Sequence, residues 1–245
     1  MEPYRISFSV TPGLADRAGH LKPSAMLYFA QEAAGKHCSL LGVDRQALEP
    51  RHLFWAVIRH KAEISRLPRV GETVTVETWP MPTTRSAYPR STVGYDAQGN
   101  PLFRIISLWV LMDTQTRAMV LPGKSGITVD GILQGGELTP PASIPVQTLP
   151  NTYTRTIRPE DLDENLHMNN TRYLEWVWEL LPQTLLTEKT LQGFTICYLS
   201  EARQDESLTL SWGLSSEGNL HLEGHRQRPE APGTQARVFA VQMTF

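Results

Sequence analysis

Asp16 and His20 stand at the same spacing as Asp163 and His167, 147 residues later, and in both places the pair precedes an apolar stretch that reads as a helix. The same shift lays Leu21 on Met168, Leu27 on Leu174 and Phe29 on Trp176. A short alternating run opens each copy, YRISFSV and NTYTRTI, with the side-chain period of a half-buried strand. Four strand-like runs follow each helix. They are LFWAVIRHKAEI, TVTVETW, RSTVGYD and FRIISLWVLMD in the first half, then GFTICYLSEA, SLTLSWGL, LHLEGHRQR and ARVFAVQMTF, with turn signals such as DAQGN and SSEGN between them. A strand, a helix and four strands, twice over, specify an α+β chain of two antiparallel sheets, each wrapped around its own helix.

The boundary between the copies lies where Gly and Pro crowd together: five of each fall between Leu121 and Pro150, a stretch with no sustained period. This predicts a first domain at 1–121, a linker at 122–150 and a second domain at 151–245. Ser24, after Pro23, is the expected N-cap of the first helix and Gly42 its stop; Asn169 or Asn170 caps the second helix, which Pro182 ends. Tyr173, Leu174, Val177, Leu180 and Leu181 share one face, and Trp176 and Trp178 extend it around the cylinder, so this helix needs burial on most sides.

Composition removes whole classes of function. Lys and Arg number 23 against 25 Asp and Glu, a formal charge of −2, so nothing global demands a nucleic acid or an anionic membrane. Two cysteines, Cys38 and Cys197, sit in apolar segments and make neither a disulfide framework nor a zinc site. No run approaches the roughly 18 apolar residues of a membrane span, and the amino terminus lacks the form of a secretory signal, so a cytoplasmic protein is expected. Nucleophile-elbow, zinc-helix, Walker and Rossmann patterns are all absent from the sequence.

The chemistry concentrates in DLDENLHMNN, Asp161 to Asn170, just before the second helix. Taken singly, an Asp or Asn here is a cap or turn former and a lone His is a surface or core residue. Capping needs one side chain, however, and this loop offers Asp163, Asn165, His167, Asn169 and Asn170. In an extended loop the alternating Asp163, Asn165 and His167 would point to one side. A helix start beside them supplies unpaired amides at Asn169 and Asn170 and a positive dipole end, which suit a developing oxyanion.

The string DLDENLHMNNTRYLEW resembles the signature of the acyl-acyl carrier protein thioesterases, double hotdog enzymes with plant and bacterial members. SLWVLMDTQTRAMVLP and VGETVTVETW look like strands of that family's first hotdog. The resemblance implies hydrolysis of fatty acyl-acyl carrier protein thioesters to free fatty acid and holo-carrier, in a bacterial cytoplasm, with no cofactor or metal. It places the family's catalytic Asp, Asn, His and Glu on Asp163, Asn165, His167 and Glu201. Ala202 stands where plant relatives commonly carry a cysteine, which speaks against a thiol nucleophile there, and Cys197 reads as core.

A thioester is already a reactive acyl donor, so the expected mechanism needs an activated water and a place for carbonyl charge. Glu201, assisted by Asn165, would deprotonate the water, with Asp163 and His167 completing the network; direct attack by Asp163 to give an anhydride stays open. The first copy has Ala18 where Asn165 stands and looks catalytically degenerate. Its helix residues Met26, Leu27, Phe29 and Ala30 are the candidate acyl pocket. The implied partner is an acyl carrier protein bearing a phosphopantetheine-linked acyl chain; Arg66, Arg69, Arg85 and Arg90 are the candidate docking face for this acidic protein, and the resemblance permits a homodimer. The competing readings are an acyl-CoA thioesterase, a hotdog hydratase and a non-catalytic acyl-thioester sensor.

Overall fold

A computed structural model describes residues 2–134, 138–227 and 234–245. The chain divides into two compact units, Met1–Pro141 and Ala142–Phe245. The first contains β1 (Tyr4–Ser9), α1 (Pro23–Leu40), α2 (Arg45–Leu48), β2 (Leu53–Ile64), β3 (Thr73–Pro80), β4 (Tyr88–Tyr95), β5 (Pro101–Asp113), β6 (Met119–Val120) and α3 (Pro122–Ser125). Its strands lie in the order β1-β3-β4-β5-β2, every neighbour antiparallel, with β6 on β5.

The second unit contains β7 (Asn151–Thr156), α4 (Asn170–Leu180), α5 (Gln183–Glu188), β8 (Gly193–Tyr198), β9 (Ser207–Leu214), β10 (Leu220–Gln227) and β11 (Gln235–Thr244). Its antiparallel order, β7-β9-β10-β11-β8, is that of the first unit with each strand replaced by its counterpart. The strand-helix-four-strand repeat legible in the sequence is therefore a repeated hotdog-like unit.

Each helix is held by aromatic packing on its sheet. α1 buries Met26, Leu27, Phe29 and Ala30, and Phe29 stacks on Phe8 of β1 with ring centroids 4.4 Å apart. α4 buries Tyr173, Leu174, Trp176, Val177 and Trp178, and Tyr173 meets Phe239 of β11 edge-on at 4.7 Å. The duplication reaches single contacts. Gly94 faces Phe103 across β4 and β5, Gly224 faces Phe239 across β10 and β11, and each register slips just after its glycine. A Cβ at either glycine would overlap the facing ring, so only glycine lets the ring lie flat on the neighbouring strand.

Two expectations need revision. Ser24 is not the N-cap: Lys22 holds that position, with Pro23 at the first helical residue and Ser24 buried inside α1. A proline presets the helical φ and forces its predecessor into extended backbone, so Lys22, at φ −66° and ψ 147°, is where the helix must begin. Second, the run GFTICYLSEA does not remain a strand to its end. β8 stops at Tyr198, because the amides of Leu199 and Ser200 both turn onto the Val238 carbonyl, at 2.8 and 3.1 Å, and leave the ladder.

The aperiodic Gly/Pro segment expected as a linker is anchored at both ends. Its first part is fixed to the first unit, where Ile132 N donates to Pro80 O at 3.0 Å and Arg51 Nη1 to Gly126 O at 2.9 Å. Its last residues are fixed to the second, where Gln147 N donates to Glu223 Oε1 at 3.1 Å and Arg237 Nη1 to Ile144 O at 2.7 Å. Its described parts pair backbone groups with the side chains and strands they cross. No helix among the described residues is long and apolar enough to cross a membrane.

Candidate active site

The loop between β7 and α4 is closed by its own aspartate. Asp163 Oδ1 accepts from the amides of Asn165 at 2.8 Å and His167 at 3.2 Å. Asp163 N donates to His167 O at 2.8 Å, and Leu166 N to Asp163 O at 3.0 Å. This corrects the expectation of an extended loop with three side chains on one side: the backbone is a tight turn, and Leu166 sits at its tip with φ +60°. A non-glycine residue in that left-handed region costs about 1–2 kcal/mol.

The first unit builds the same turn. Asp16 Oδ1 accepts from Ala18 N and His20 N, both at 2.9 Å, Asp16 N donates to His20 O at 2.8 Å, and Gly19 N to Asp16 O at 3.0 Å. There the tip is Gly19, at φ +79°. The aspartates at these equivalent positions therefore do the same backbone work, whatever else Asp163 does.

Glu201 reaches the turn from the segment after β8. Met168 N donates to Ala202 O at 2.8 Å, and His167 and Arg203 pair as an isolated bridge, so the segment lies alongside the loop. His167 Nε2 then stands 3.2 Å from Glu201 Oε2, with the histidine side chain 16% exposed and the glutamate 35%. The matching bonds in the first unit are Leu21 N to Pro68 O at 2.8 Å and the His20–Arg69 bridge. Glu201 therefore corresponds to Leu67, a buried leucine, and Asn165 to Ala18. The turn is duplicated; its amide and its glutamate are not.

The remaining loop residues have structural partners. Asn169 caps α4, its Oδ1 accepting from Thr171 N at 3.0 Å and Thr171 Oγ1 at 2.9 Å, while its own amide donates to Asp161 O at 2.8 Å. The Asn169 amide is thus committed, which corrects its place among the oxyanion donors. Asn170, first residue of α4, has an amide that the helix itself cannot satisfy. Its carbonyl accepts from Tyr198 Oη at 2.9 Å, and burial pushes the pKa of that phenol well up, so it stays a neutral donor. The Asn165 side chain is exposed at the surface of the turn.

Several supporting residues carried no sequence signal. Buried Asp161 accepts from Arg172 Nε at 3.0 Å, Arg172 Nη2 at 2.9 Å and Trp176 Nε1 at 3.2 Å, tying the loop to the first two turns of α4. Arg226 of β10 donates to Ser200 Oγ at 2.8 Å and to the Glu201 carbonyl, and pairs with Glu206 Oε2 at 2.9 Å. It fixes the backbone from which Glu201 projects, from 25 residues away in the chain. Arg203 Nη2 lies 4.0 Å from Glu201 Oε2.

Of the docking candidates, Arg66, Arg69 and Arg85 are exposed, and Arg66 is held by Glu72 through two bonds of 2.8 Å. Arg90 is not available to any partner. It is 6% exposed and points inward from β4 to His37 Nδ1 at 3.2 Å, Thr78 Oγ1 at 3.4 Å and Cys38 Sγ at 3.6 Å. Strand alternation decides this, because a charged residue in a β run takes whichever face its register assigns. Met26, Leu27, Phe29 and Ala30 are all buried on α1. Among the described residues no group of three or more His, Cys, Asp or Glu is placed to hold a metal ion.

Two hotdog-like units in tandem, one with an Asp-closed turn facing a glutamate and one with the turn alone, define the class of the molecule. The chain belongs to the acyl-ACP thioesterase family: residues 2–121 match its N-terminal domain and residues 148–236 its C-terminal domain. It is 30% identical over 219 residues to the chloroplastic dodecanoyl-[acyl-carrier-protein] hydrolase of Cinnamomum camphora, which covers 81% of this chain and 57% of that relative. The chain thus spans little more than half the length of such curated relatives. Its fold is that of an acyl-ACP thioesterase from Bacteroides thetaiotaomicron (TM-score 0.88, 24% identity, 99% and 97% of the two chains covered). The 12:0-ACP thioesterase from Umbellularia californica is likewise similar (TM-score 0.80, 25% identity, 98% and 96% covered).

Proposed function

We propose that this chain hydrolyses fatty acyl thioesters of acyl carrier protein, releasing free fatty acid and holo-carrier with its phosphopantetheine thiol, in the cytoplasm. The observation that carries the reading is the 3.2 Å approach of His167 Nε2 to Glu201 Oε2 beside a turn whose other copy has leucine and alanine in place of Glu201 and Asn165. Family membership supplies the substrate class.

In this reading Glu201, oriented by His167, takes the proton of a water that attacks the thioester carbonyl carbon. The carbonyl oxygen gains the negative charge and meets the Asn170 amide at the positive end of α4. Asn165 holds the water or the carbonyl from the loop. As the tetrahedral intermediate collapses, the carbon-sulfur bond breaks and the proton passes to the departing thiolate. Asp163 keeps Asn165 and His167 in register through its two amide bonds. The second unit carries the catalysts.

The test is thiol release from a chain-length panel of acyl-carrier proteins and matching acyl-CoAs, for the wild-type protein and for Glu201→Gln, His167→Ala and Asn165→Ala. Hydrolysis of carrier-linked chains that falls by about two orders of magnitude or more in the variants is expected. Preference for CoA moves the substrate, and acyl-thioester binding without hydrolysis replaces the enzyme by a sensor or a hydratase.

A further inference from the structure

Leu166 is out of place by two measures. Its backbone is left-handed at φ +60°, where the equivalent turn of the first unit uses Gly19 at φ +79° with the same amide bonds around it. Its side chain is 71% exposed, so the leucine gains no burial to offset that conformation. The turn itself asks for glycine, and most of the isobutyl group is left facing solvent. The folded turn holds that conformation in place, and strain of this kind clusters at active sites and ligand clamps.

Its neighbours say which ligand that would be. Leu166 lies between Asn165 and His167, and adjacent Cα atoms are about 3.8 Å apart, so its side chain starts within one residue of the groups assigned to the thioester. A thioester has two arms. The acyl arm is pure hydrocarbon and seeks a buried lining, whereas the thiol arm leads out to the carrier. A solvent-facing side chain at the tip of the turn meets the thiol arm, and the carrier body is a full arm's length further away. We propose that Leu166 is a substrate-positioning residue that packs on the pantetheine arm of the thioester, holding the sulfur over His167 and Glu201. The inference rests on the thioesterase reading above.

The deciding variant is Leu166→Gly, which restores the residue the turn favours. Its melting temperature should be equal to or above that of the wild type, yet KM for an acyl-pantetheine thioester and for the acyl-carrier protein should rise together by about tenfold, the scale of one leucine's buried area. The kcat values should stay within about twofold. Leu166→Met, which replaces the lost apolar contact, should recover most of the KM. Hydrolysis of an acyl thioester of a simple alkyl thiol, which has no arm, should not follow the KM change.

Equal KM for the arm-bearing substrates in wild type and Leu166→Gly overturns the inference. So does a fall in kcat shared with the armless substrate, which would make the leucine a loop-positioning group, or an effect confined to the carrier-linked substrate, which would make it a protein contact. Wild-type turnover is measured first: its absence removes the thioesterase reading and this inference together, whereas turnover that is indifferent to Leu166 removes the inference alone.

Discussion

Leu67 occupies in the first unit the position that Glu201 occupies in the second, two residues before an arginine bridged to the histidine of the turn. One is packed away at 8% exposure, and the other presents a carboxylate to His167 at 3.2 Å. The same backbone serves as core in one copy and as chemistry in the other, which sets opposite expectations for the two sites. Leu67→Ala should cost about 2–4 kcal/mol of stability for a buried leucine, measured by denaturant unfolding. Glu201→Gln should leave the unfolding midpoint within about 0.5 kcal/mol and remove the activity.

Asp16 isolates what the aspartate does for the turn. Its carboxylate accepts the amides of Ala18 and His20 in a unit without Asn165 or Glu201 equivalents. Asp16→Ala should therefore destabilise by about 1–3 kcal/mol, the cost of stranding those amides, while Asp16→Asn, which keeps an acceptor oxygen, costs less. If Asp163 serves the turn alone, Asp163→Asn keeps a measurable fraction of turnover, and a single turnover in ¹⁸O water leaves the Asp163 carboxylate unlabelled. Label in that carboxylate would identify it as the nucleophile.

The inward course of Arg90 makes it a stability residue. Arg90→Glu should cost about 3–5 kcal/mol, because it buries a carboxylate in a space shaped for a guanidinium. Arg66→Glu, at an exposed ion pair, should change stability by no more than about 1 kcal/mol. Denaturant curves of the two variants separate these positions. If Arg66 and Arg69 dock the carrier, their joint reversal raises KM for carrier-linked chains alone, and the effect weakens with salt.

Two imidazoles of the first unit are held neutral. Burial, with the Arg90 charge second, lowers the His37 pKa to about 4, and burial alone lowers that of His60 to about 3. The unfolded chain, with ordinary histidines, binds protons more readily than the folded one from about pH 6.5 down to these values. Stability should therefore fall as the pH drops through this window, with each histidine contributing a slope that approaches about 1.4 kcal/mol per pH unit. His60 accepts or donates a 2.8 Å bond with Ser107, so His60→Gln is the gentler variant, and it should flatten the profile between pH 6 and 4. An unchanged profile would mean that His60 charges freely in the folded protein.

Local pattern fixed much of this molecule. The strand-like runs at 53–64 and 207–214 became β2 and β9 without a change of boundary, because apolar and β-branched residues bounded by turn signals mark a strand locally. The repeat of Asp and His at 147 residues was legible because the turn is built from contacts within five residues, and a contact that short leaves its trace in spacing. Asn169 as the cap of α4 was legible for the same reason.

Register and chain reversal lay beyond that reach. Whether Arg90 faces in or out depends on which neighbour its strand pairs with, and the pairing of β4 with β3 and β5 is a long-range outcome. Glu201 meets His167 only because β8 leaves its ladder at the Val238 carbonyl and passes the turn, a contact 34 residues long that no period encodes. Arg226 is anchored beneath it by a third strand. The repeated unit and the residue types at the turn follow from near-neighbour sterics and hydrogen bonding, and the family resemblance already pointed to Glu201; the geometry that sets its carboxylate beside His167 depends on where separate strands end, which near neighbours do not encode.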